Sequence, residues 1–151
     1  MIRREVREKA FMFLFQIELQ HGDEDLQLEN FVAEYEISDE ASKYMFRLIN
    51  GVREHHQDLD SKYIPFLKGW TKERLPKVDL TILRLAVYEM IYEPEVPHNV
   101  AISEAVLLTK KFSTEESRSY VNAVLGKVSR SLTEPADDQN QKIEIKVDSD
   151  E

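Results

Sequence analysis

The 151-residue sequence has no cysteine. Disulfides, thiolate metal sites and cysteine nucleophiles are therefore excluded. Glycine occurs four times and proline five times, and no glycine-rich phosphate loop, GxSxG or HExxH pattern is present. No apolar run reaches the length of a membrane span. The start, MIRREVREKAF, lacks the apolar core of a secretory signal. These absences point to a soluble, cytoplasmic protein with no membrane partner. Carboxylates are plentiful but fall on polar faces, so no acid–base pair stands out. The one concentration of metal-type ligands is EHHQDLD at 54–60. It sets adjacent histidines about 100° apart on a helix, which does not converge on one ion. No enzymatic activity, catalytic residue, cofactor or metal is expected.

Positive charge is also scarce. The net charge is −9, which argues against a general nucleic-acid coat. Beyond Pro135, two lysines face six acids, so this tail supplies −4 and the remainder is still acidic. Any nucleic-acid contact must be local, and a basic partner would strengthen it. The polar stretch 134–151 is expected to be a disordered acidic tail. Residues 1–133 then form a single helical domain.

What is present is helical periodicity. The stretch VDLTILRLAVYEMIY, from Val78, carries Ile82, Leu83, Leu85, Ala86, Val87, Met90 and Ile91 most of the way round a helix. A helix that apolar is central rather than superficial. Pro76 suits its start, and Asp79 complements the dipole in its first turn. Pro94 and Pro97 stop it. The next helix runs to Phe112, with Lys110 and Lys111 in its last turn.

Five further helices are read from the same patterns. The first spans Arg3 to Gln20, with Gly22 as a left-handed stop. A short second helix lies within Asp23 to Glu36. The third starts at Ser38 as N-cap and runs to about Gln57. A fourth, Leu59 to Gly69, is interrupted by Pro65. The last follows Phe112, where Ser113 and Glu116 have capping-box spacing.

The first helix carries more apolar surface than one core face needs. Val6, Ala10, Phe13, Leu14 and Ile17 form one stripe; Phe11, Phe15 and Leu19 form another. The second stripe is either buried between neighbours or a docking surface for another protein. Arg3, Arg4 and Arg7 begin the same helix, where they oppose its dipole. They are either solvated charge or a patch for RNA or another polyanion, making bidentate phosphate contacts.

Several segments together resemble the NusB family of bacterial transcription antitermination factors. They are RREVREKAFMFLFQ, the W-x3-R-L of Trp70 to Leu75, VDLTILRLAVYEM, VPHNVAISEAVLLTKKF and YVNAVLGKV. The likeness runs from about Arg3 to Leu132. It implies an all-α fold of about seven helices in two packed bundles. It also implies binding of the boxA-type RNA of ribosomal RNA leader transcripts, together with the small-subunit ribosomal protein NusE, and delivery to the RNA polymerase elongation complex. Carried over by motif, Arg3, Arg4 and Arg7 would contact RNA, with Phe66, Glu116 and Ser119 nearby. Phe15, Leu19, Glu73 and Asp79 would face NusE. Ser103 stands where the family commonly has Asn, and Ala123 where it has Gly. The latter would crowd a close helix approach. The alternative is a homodimeric helical interaction module without direct RNA binding, associating through Phe11, Phe15 and Leu19.

Overall fold

A computed structural model describes residues 1–134. Among them are six α-helices and no strand: α1 (Arg3–Leu19), α2 (Glu24–Glu34), α3 (Asp39–Tyr63), α4 (Lys77–Tyr92), α5 (His98–Phe112) and α6 (Glu115–Thr133). Two 3-10 turns, Ile64–Phe66 and Lys72–Arg74, lie between α3 and α4. The tail expected from 135 onward lies outside the described residues. No described helix is long and apolar enough to cross a membrane.

Helix α4 is the hub. It packs on α1, α3, α5 and α6. Every side chain from Asp79 to Met90 except Arg84 is buried, as its all-round apolar pattern requires. α1, α2 and α3 form one bundle and α4, α5 and α6 the other, joined chiefly by the α3–α4 contact. That contact is close because α3 carries Gly51 against Tyr88. A Cβ at position 51 would lie 2.1 Å from a Tyr88 ring carbon.

Six helices replace the seven read from sequence because the third and fourth are one. Leu59 and Tyr63 are fully buried and continue the apolar stripe of Leu48 and Val52. Nothing between Val52 and Tyr63 breaks the helix. Pro65 falls in the following 3-10 turn, where no α-helical hydrogen bond is lost. Ser38 caps α3 as read, its Oγ accepting from Ala41 N at 3.2 Å. At α6 the cap is Thr114 rather than Ser113, accepting from Ser117 N at 3.0 Å. Ala123 and Ser103 are both exposed, so Ala123 crowds no neighbour.

Candidate nucleic-acid interface

The three N-terminal arginines do not form one exposed cluster. Arg7 is buried: its Nε donates to Glu89 Oε1 at 2.7 Å and its Nη2 to Oε2 at 2.8 Å. The two side chains are 6% and 1% exposed. Burial alone would lower the Arg7 pKa; the hydrogen bonds and charge of Glu89 outweigh it, and the net direction is upward. Arg7 is thus an interior tie, which corrects its assignment as an RNA contact. The signal was in the sequence. Phe11 and Leu14, one and two turns on, are buried on the same face. Glu89 likewise follows Ile82 and Leu85 on a buried face of α4.

Arg3 and Arg4 do point outward. Arg4 makes a two-pronged contact with Glu104 at 3.0–3.1 Å while most of its side chain stays in solvent. Arg3 reaches Glu95 at 3.2 Å and lies over the Tyr44 ring, 5.0 Å from its centre. Arg47, from α3, lies 5.1 Å from the same ring. Glu104 also stands 3.6 Å from Arg7, so one carboxylate serves both an exposed and a buried guanidinium. Glu104 and Glu95 went unrecognised in the sequence because their partners are about a hundred residues away.

The expected partner-facing residues also divide. Phe11 is core, 1% exposed, and packs on the Phe112 ring at 5.0 Å. Phe15 is half-buried and stacks on Phe11 at 6.0 Å. Leu19 is 62% exposed, and Glu73 is exposed on the second 3-10 turn. Asp79 is only 2% exposed. It accepts from Ser113 Oγ at 2.8 Å and Ser117 Oγ at 2.6 Å. It therefore ties the start of α4 to the start of α6 and is not a surface acid, correcting its place in the partner surface. A cleft of about 400 Å³ opens beside it, walled by Val78, Phe112, Tyr120 and the half-exposed Trp70.

Of the remaining RNA candidates, Glu116 lines this same cleft. Phe66 is half-buried in the first 3-10 turn, which packs on α3 and α6. Glu116 and Ser119 are exposed on α6. α1 and α4 run antiparallel, since Arg7 meets Glu89 and Glu18 meets Arg84. Arg3 and Arg4 are thus on the order of 20 Å from Glu116, allowing 1.5 Å per helical residue. The site has two ends, not one.

An interior network holds the far end. Arg84 donates to both oxygens of Asp60 at 2.8 Å and to Glu18 at 2.9 Å, and Tyr63 donates to Asp60 at 2.8 Å. These contacts lock α1, α3 and α4 together. Among the described residues no group of three or more His, Asp or Glu side chains could hold a metal ion. His55 instead stacks on Tyr92 at 4.3 Å.

The comparisons agree with this architecture. A family model described as the NusB family matches residues 4–130. A transcription antitermination protein NusB from Acetivibrio thermocellus is 40% identical over 126 residues, covering 83% of this chain and 87% of that protein. One from Lactiplantibacillus plantarum is 43% identical over 129 residues, covering 83% and 93%. The solved T. maritima NusB matches with a TM-score of 0.79 at 33% identity, over 86% of this chain and 92% of that one. A crystal structure of antitermination factors NusB and NusE with double-stranded RNA matches with a TM-score of 0.77 at 26% identity, over 87% and 99%. On the family match and these relatives, the chain belongs to the NusB family.

Proposed function

We propose that this chain is an RNA-binding transcription antitermination factor. It takes boxA-type RNA together with NusE and brings the pair to elongating RNA polymerase in the cytoplasm. The observation that carries this reading is the structural match, over 87% of this chain, to a chain solved with NusE and RNA. The protein acts by binding and carries out no catalysis.

Two chemistries divide the work. Arg3 and Arg4 supply the N-terminal electrostatic contact, exchanging carboxylate partners for phosphates. The Arg3–Glu95 pair is exposed and weak, so its exchange costs little; the buried Glu104 keeps Arg7 when Arg4 turns to a phosphate. Arg7 does not touch RNA; with Glu89 and Glu104 it fixes the start of α1 so that Arg3 and Arg4 project together. At the other end Phe66, Glu116 and Ser119 lie along the RNA. The half-buried Phe15 and exposed Leu19 offer NusE an apolar contact. Glu73 adds negative charge that suits a basic ribosomal protein. Asp79 holds α4 and α6 in register beneath that surface.

Sizing chromatography of the full chain with NusE and a boxA-type RNA oligomer tests this reading. The three are expected to elute together, with the RNA shifted further by both proteins than by either. RNA eluting alone in the presence of both would sink it.

A further inference from the structure

Lys68, Lys127 and Arg130 form a cationic cluster with no carboxylate in ion-pairing distance among the described residues. Lys68 follows the 3-10 turn that holds Phe66, and its backbone N–H bonds to the Phe66 carbonyl at 3.1 Å. That turn packs on α6, which carries Lys127 and Arg130. Every other described arginine except Arg74 has a carboxylate partner. The cluster costs repulsion. The Lys127 ammonium is held below the ordinary lysine range, first by hydrogen-bonding contact with Lys68, then by partial desolvation and by the charges of Lys68 and Arg130. Like charges gathered without compensation are relieved by an anion.

The placement says which anion. At 100° per residue, Glu116, Ser119, Ala123, Lys127 and Arg130 fall within about 80° of one another on α6. None of the five is buried. The cluster therefore continues, along one helix face, from Glu116 and Ser119. Ser119 and Arg130 are separated by about 16 Å along the axis. A negatively charged backbone laid along that face would reach the three cations.

We propose that Lys68, Lys127 and Arg130 bind a phosphodiester segment of the RNA, continuing its path along α6 and contacting it without regard to base sequence. This rests on the RNA-binding reading above. The cluster contributes affinity and salt dependence, while sequence preference comes from elsewhere.

The test uses the full chain and its Lys68→Gln/Lys127→Gln/Arg130→Gln variant, with Lys127→Gln alone as a second variant. Fluorescence anisotropy is recorded on a boxA-type RNA and on a scrambled RNA of equal length, at several salt concentrations, with circular dichroism as the folding check. The triple variant is expected to weaken both RNAs by the same factor. Its log–log salt slope should fall by about 2, three phosphate contacts on a single strand, and Lys127→Gln should give about a third of that. If the wild type binds and the variants match it in affinity and slope, the proposal is overturned while the RNA-binding reading stands. That is also the result if the cluster serves an acidic protein surface. A loss confined to the boxA-type RNA would overturn it too, because the contact would then read sequence. If the wild type binds neither RNA even with NusE present, both fail together.

Discussion

Arg7 and Glu89 meet through two parallel hydrogen bonds of 2.7 and 2.8 Å inside the core, joining the start of α1 to the end of α4. Removing one partner leaves a buried charge uncompensated, which typically costs about 3–5 kcal/mol. Arg7→Ala is expected to lose stability on that scale in urea unfolding followed by circular dichroism. Arg7→Met with Glu89→Leu should recover most of the loss, because neither charge is then stranded. An Arg7→Ala variant as stable as wild type would show that the pair does not hold the helices together.

Arg3 and Arg4 should behave in the opposite way. Arg3→Gln with Arg4→Gln is expected to leave the unfolding midpoint unchanged, since both side chains are largely in solvent. RNA affinity should fall, and the log–log salt slope should drop by about 1.4, two phosphate contacts on a single strand. Unchanged affinity and slope in an anisotropy titration would place the RNA away from the start of α1.

The contrast between Arg7 and its neighbours shows how far the sequence could be read. Helical periodicity was enough for the all-α class and for α4 as the centre, because burial on all sides leaves a continuous apolar pattern. It was not enough for the site. Arg7, Arg4 and Arg3 are within two turns of each other in sequence, yet their exposure depends on Glu89, Glu104 and Glu95, which no local pattern connects to them. Asp79 read as a first-turn acid, and so it is. Only the packing of α6 against α4 shows that Ser113 and Ser117 enclose it. The break expected near Gln57 failed for a simpler reason: polar residues on the outer face of α3 interrupt nothing while Leu59 and Tyr63 keep the inner stripe going.

Asp60 gives a pH signature. Burial would raise its pKa, but hydrogen bonds from Arg84 and Tyr63 and the charges of Arg84 and Lys72 prevail, so its carboxyl titrates below the usual range. With the folded pKa below the unfolded value of about 3.9, this stabilisation is fully present above that value. It is lost as pH falls through the lower, folded pKa. Urea midpoints of wild type and Asp60→Asn should differ clearly near neutral pH and begin to converge only as pH falls below about 4, merging once it is below the folded pKa. A gap independent of pH would mean that the Asp60 charge is not what holds Arg84.

Leu19 separates docking from folding at the other face. Leu19 is 62% exposed, so Leu19→Asp is expected to keep the wild-type unfolding midpoint while weakening NusE capture at least tenfold, about 1.4 kcal/mol. Phe15→Asp should lose both, because half of that ring is packed on Phe11. NusE binding by Leu19→Asp equal to wild type would move the partner surface off α1.

The most direct measurement is an anisotropy titration of the full chain against a boxA-type RNA and a scrambled RNA, each with and without NusE. The expected result is binding of the boxA-type RNA that tightens when NusE is added, with the gain lost on scrambling. Equal affinity for both RNAs and no effect of NusE would contradict a protein that joins a specific RNA to a basic partner.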